Sequence, residues 1–124
     1  MCGYLGLIQR VKILKITSIS STEKSAVSHN PKIKKHVLVA NGEIENLTNF
    51  SEAIFPPGET AYAHTHRDMT EIFFIKSGNG TISVNERAIL LDEGMCVTVE
   101  PNEVHEIINT GVTDMIVMCI GIKT

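Results

Sequence analysis

The sequence is short of most features that mark a specialised class of protein. Its three cysteines, Cys2, Cys96 and Cys119, cannot all pair within one chain and show no C-x-x-C spacing. That disfavours a disulfide framework, a zinc knuckle and a dithiol redox centre, and reads them as reduced thiols of a cytoplasmic protein. Cys96 and Cys119 lie in apolar runs, where a cysteine serves as a small hydrophobe. Charge is nearly balanced, with 11 basic and 14 acidic residues and a net charge of -3. The basic stretches Arg10 to Lys15 and Lys32 to His36 are short and separated, so a nucleic-acid partner is not expected. The apolar run Cys2 to Ile8 lacks the basic lead and small-residue cleavage site of a signal peptide. Asp114 to Lys123 reaches only about half the length of a membrane-spanning helix, so no membrane partner is expected. Internal repeats, low-complexity segments and helical periodicity are also wanting.

What the 124 residues do contain is a succession of short apolar segments separated by turn residues. From His36 onward HVLVA, EIFFI, TISV, AILL, MCVTV, VHEII and DMIVMCIGI alternate with NG, PPG, SGNG, DEG, EPNE and NTG. Strands at such regular short spacing predict an all-β fold, a small antiparallel barrel or double-sheet sandwich over residues 36–124. Residues 1–35 read as an N-terminal arm or edge strand, because VKILKI is followed by the turn-rich SISSTEKSAVSHNP. SGNG is expected to close a hairpin, and the prolines of PPG must end a strand before TAYAHTH begins.

The histidines carry the chemical signal. In an extended strand alternate side chains share a face, so His64 and His66 point to one side, with Tyr62 and Thr60 on the same parity. After the polar Arg67 and Asp68, Glu71 is expected to open a neighbouring antiparallel strand, with Phe73 and Ile75 on its face. His105 opens VHEII after the turn EPNE. Three imidazoles and one carboxylate suit a single divalent transition ion, Fe, Mn, Ni, Co, Cu or Zn, with coordination positions left open for water, dioxygen or a chelating substrate. His29 and His36 are isolated and are read as ordinary histidines.

On these residues the sequence resembles the cupin superfamily. Gly58, His64, His66, Glu71 and Gly78 reproduce its first motif at every marked position, and Gly94, His105 and Asn109 the second. The family's usual proline and glycine before the second histidine fall here on Glu100 and Asn102, with Pro101 between them. Asparagine tolerates left-handed backbone, so the turn is still expected to form. The resemblance covers about Ala40 to Ile122 and implies a jelly-roll barrel of two packed sheets, with His64, His66, Glu71 and His105 as metal ligands. The intact Glu71 sets the chain apart from the three-histidine thiol dioxygenases of the superfamily.

Tyr62 is the expected acid–base group beside the metal, and Thr60, Phe73, Ile75, Ile107 and Met118 the expected lining of an apolar pocket. A pocket of that kind suits a small organic molecule better than a sugar phosphate. The expected function is a metal-dependent enzyme, an oxygenase or an isomerase or lyase. The alternative is a metal-containing module that binds or senses a small molecule without changing it. A homodimer is expected, because MIVMCIGI is apolar on both faces and VKILKI of a second copy can cover it.

Overall fold

The β-branched segments become antiparallel strands in the computed structural model, which describes residues 14–124. They are β1 (Lys24–Val27), β2 (Asn30–Val39), β3 (Leu47–Phe55), β4 (Thr60–His64), β5 (Met69–Ser77), β6 (Gly80–Val84), β7 (Arg87–Leu91), β8 (Cys96–Val99), β9 (His105–Ile108) and β10 (Met115–Lys123). A single 3-10 turn at Ile19–Ser21 is the only helical element among the described residues. No helix there is long and apolar enough to cross a membrane.

Two sheets result, one of six strands in the order β1-β2-β3-β10-β5-β8 and one of four in the order β4-β9-β6-β7. No strand of one pairs with a strand of the other among the described residues, so the architecture is a double-sheet jelly roll rather than a closed barrel. Alternation supplies the core between them. Ile33, Ile75, Met115 and Val117 point inward from the large sheet to meet Ile82 and Ile107 of the small one. Burial of these side chains is the main driving force, about 1.5–3 kcal/mol for each large aliphatic.

Three expectations are corrected by this topology. The boundary expected between residues 35 and 36 falls inside β2, and β1 and β2 add a hairpin to the large sheet. Residues 1–13 of the expected arm, with Cys2 and the first half of VKILKI, lie outside the described residues. SGNG does not close a hairpin, since β5 pairs with β10 and β8, whereas β6 pairs with β7 and β9. The turn carries the chain from one sheet to the other. For the same reason Glu71 on β5 is not a neighbour of the His64 strand in its sheet. It faces that strand across the sandwich.

Gly78 shows why the crossover needs glycine. Its φ is 83°, and a Cβ there would lie 2.7 Å from the backbone oxygen of Asp114 and 2.8 Å from the Cα of Met115. Neither obstacle is a movable side-chain tip. Gly78→Ala is expected to cost about 2–4 kcal/mol, from left-handed backbone and overpacking together. Urea denaturation reads this directly; an unchanged midpoint would contradict the account.

Candidate metal centre

The four residues singled out in the sequence converge. Ligand atoms of His64, His66, Glu71 and His105 all lie within 4.8 Å of one another. Each arrives by a different route. His64 ends β4 and His105 begins β9, and the two are register partners in the small sheet. His66 follows β4 in a loop whose carbonyl accepts a 2.7 Å hydrogen bond from the backbone N–H of Asn102. That bond ties the first histidine segment to the EPNE turn, where Asn102 does adopt the left-handed conformation, with φ of 71°. Glu71 reaches in from β5, where its register partners are Gly121 and Val99.

The donor set fits a divalent metal. Nε2 of His66 and of His105 stand 3.2 and 3.0 Å from Glu71 Oε1. Adjacent ligands at bond lengths of about 2.0–2.2 Å are separated by about 3 Å around an octahedral ion. Two rings are also held in the required tautomer. Nδ1 of His64 donates to the carbonyl of Tyr62 at 2.7 Å, and Nδ1 of His105 to that of Glu103 at 3.0 Å. Each bond leaves Nε2 turned to the centre, the usual arrangement around metal-binding imidazoles.

Charge in the cluster is balanced internally. Burial pulls the His105 pKa down, but hydrogen bonds to Glu71 and to the Glu103 carbonyl outweigh it and leave the value raised. Burial pushes Glu71 up, and the hydrogen bond from His105 with the neighbouring histidine charges brings it below the ordinary carboxylate value. His64 is lowered, first by burial and then, against the pull of the Tyr62 carbonyl, by His105. A lowered value keeps this imidazole neutral, as a ligand must be.

The cluster opens into a cavity of about 210 Å³ between the sheets. Phe73 and Ile107 line it as expected. The other expected lining residues do not. Ile75 is fully buried in the core, and Met118 is on the opposite face of β10, where Cys119 points inward instead. Thr60 and Tyr62 are displaced by a β-bulge between Ala61 and His64. The extra residue reverses parity, so Ala61 joins His64 at the cavity while Tyr62 turns outward, 58% exposed. Tyr62 meets the cluster through its backbone carbonyl, the partner of His64 Nδ1, while its side chain lies at the surface.

Several cavity residues escaped the sequence reading. His29, in the β1–β2 turn, stacks on His64 with ring centroids 3.8 Å apart. Lys35 of β2, and Asn49 and Ser51 of β3, form a polar wall. None sits at a marked motif position, and Lys35 precedes His36, from which the sequence pattern predicts strands. Extending the first of these to Asn30 would have put Lys35 on the inward parity of Ile33.

The cysteines separate. Cys119 is pushed up to about 12, by burial first and by the Glu71 carboxylate second, against weaker pulls from Lys35 and Ser51. Cys96, expected in the interior, is exposed on the sheet-edge strand β8. Because the thiolate is the reacting form, iodoacetamide is expected to label Cys96 in the native protein and to spare Cys119 until the chain is unfolded. Peptide mass mapping distinguishes the two, and comparable native rates would contradict the assignment.

Known proteins share this organisation. Two curated relatives match part of the chain. An oxalate-binding protein of Thermotoga maritima is 30% identical over 80 residues, 64% of this chain and 66% of the relative. An uncharacterized protein of Methanocaldococcus jannaschii is 27% identical over 71 residues, 57% of each. The matches thus span under two thirds of either relative's length. A crystal structure of a predicted oxalate decarboxylase of Thermotoga maritima superposes with a TM-score of 0.82 at 22% identity, over 89% of this chain and 100% of that one. At that identity the likeness concerns the fold. Residues 51–121 match the family described as Cupin domain, and with the jelly roll and both motifs in place this chain belongs to the cupin family.

Proposed function

We propose that the chain holds one divalent first-row ion on His64, His66, Glu71 and His105 and uses it to bind a small organic anion. The observation that carries this reading is the convergence of four donors with two imidazoles already held in the binding tautomer. Three neutral imidazoles and one carboxylate leave a divalent ion with a net positive charge, which favours an anionic ligand at its open positions. The ion would supply Lewis acidity and a fixed anchor; the chain supplies the cavity and its polar wall. A relative named for binding oxalate is consistent with such a ligand.

Binding takes precedence over catalysis here because the expected phenol points outward. The enzymatic reading, an oxygenase or an isomerase or lyase, draws on the open metal positions and on His29, the remaining imidazole in the cavity wall. Elemental analysis of protein purified without an affinity tag, followed by calorimetric titration of the loaded protein with oxalate, tests the proposal. One ion per chain and saturable binding with oxalate recovered unchanged are expected. Absence of metal under all loading conditions would sink the metal reading. Turnover of oxalate would favour the enzyme. The unpaired Cys96 and Cys119 suit a reducing compartment such as the cytoplasm.

We further propose a homodimer formed over the outer face of the large sheet. Phe74 and Ile122 are 41% and 38% exposed there, and Leu14 and Ile16 are 80% and 79% exposed and free to cover the partner's sheet. A dimer mass by light scattering at micromolar concentration is expected; a monomer mass would rule the dimer out.

A further inference from the structure

The cavity has a second polar pole. Glu71 on β5 and Lys35 on β2 both line it, and β5, β10, β3 and β2 are successive neighbours in the large sheet. Lys35 shares the register of Ala53, Val117 and Ile75, whereas Glu71 shares that of Gly121 and Asn49, so the two are three strands apart across the sheet and four residues apart along it, about 20 Å between backbones, and both line the space between. On β3, Ser51 stands two residues from Ala53, the register partner of Lys35, while Asn49 is level with Glu71, and both line the cavity between. Ser51 Oγ donates to Asn49 Oδ1 at 2.8 Å, which orients the asparagine and turns its amide donors away from that bond.

Lys35 is half-buried and forms no ion pair among the described residues, whereas Lys15 and Lys76 each hold a glutamate. A lysine that lines a cavity and has no carboxylate partner there can hold an anionic group. The cavity volume of about 210 Å³ equals about seven water-sized groups at about 30 Å³ each, more than a ligand held wholly at the metal needs.

Resting on the metal-anchored reading above, we infer that the ligand is a dianion of about five carbons, one end chelating the metal and a second carboxylate bound by Lys35. Lys35 is then the specificity-determining residue. It selects ligand length, because a two-carbon diacid places both carboxylates at the metal and never reaches it.

The test uses the full chain loaded with Co(II) and three probes. These are 2-oxoglutarate, 2-oxopentanoate with the same chelating end but a methyl in place of the distal carboxylate, and oxalate. Calorimetry is expected to show 2-oxoglutarate binding at least about tenfold tighter than 2-oxopentanoate, as for a charge-assisted contact in a partly buried site. Lys35→Met should abolish that preference and leave oxalate affinity and cobalt stoichiometry unchanged. Lys35→Arg should keep most of it. Thermal midpoints check that both variants are folded. Equal affinity for the two oxo acids, or a preference that survives Lys35→Met, overturns the inference while the metal reading stands. If the metal binds and none of the probes does, the anion reading falls with it. If cobalt does not bind, both fall.

Discussion

His105→Ala is expected to abolish stoichiometric metal binding and to remove the loss of stability that the metal-free protein shows as pH rises. His105 is 1% exposed and shares a 3.0 Å contact with Glu71. Losing a residue that merely supports a ligand costs about 10–100-fold in metal affinity, so losing a ligand should cost more than about a hundredfold. The pH effect follows from the directions of the shifts. The raised His105 value contributes stability that is complete below the ordinary histidine value and is lost as pH rises through the raised one. The lowered Glu71 value contributes stability present above the ordinary carboxylate value and lost as pH falls through the lowered one. On this pair the metal-free protein is most stable between these limits and weakens as pH rises through the raised His105 value, while the lowered His64 contributes in the opposite sense.

Metal reverses the trend, because it takes the place of the proton between the imidazoles and Glu71. Affinity should rise over the same interval, and the gap between metal-loaded and metal-free melting temperatures should widen. Melting curves at stepped pH, with and without Co(II), display both slopes. Metal-free protein that becomes more stable with rising pH would show that the His105–Glu71 pair is not the controlling contact.

The second large effect is expected away from the site, at Asn109. Its side chain is fully buried; Nδ2 donates to the carbonyls of Phe55 and Thr113, both at 2.8 Å, and Oδ1 accepts from the N–H of Gly111 at 2.8 Å. One amide thus closes the β9–β10 connection and fastens it to the end of β3. Its backbone joins the same region to the PPG turn, exchanging bonds of 2.9 and 3.0 Å with Gly58 and Glu59. Asn109→Ala leaves two buried acceptors and a donor without partners, at about 1–3 kcal/mol each, so a loss of about 3–5 kcal/mol is expected. Asn109→Asp should be no better, since a carboxylate cannot donate to either carbonyl. Urea denaturation measures both variants. A loss below about 1 kcal/mol for Asn109→Ala would mean that water replaces the amide at little cost.

Asn109 and the glycines illustrate how the cupin motifs work as folding instructions. Gly58, Gly78 and Gly94 all have positive φ, with values of 82°, 83° and 88°. Asn102, standing where the family has glycine, adopts the same backbone region. Such requirements are local, and so they are written at fixed spacings in the chain.

The sequence by itself determined the all-β class, and its two cupin motifs picked out the four converging residues, because alternation, backbone stereochemistry and donor chemistry are properties of short segments. Only the tertiary structure decided what surrounds those residues. A bulge after Ala61 turned Tyr62 out of the cavity, the crossover at Gly78 put Glu71 in the sheet facing His64, and pairing of β2 with β3 brought Lys35 into the wall. Bulges and strand order arise from pairing between distant segments, and parity read along one strand cannot register an extra residue in its partnership with another. The place of the candidate metal site was therefore legible in the chain, while the shape and charge of the space beside it came from the pairing of the sheets.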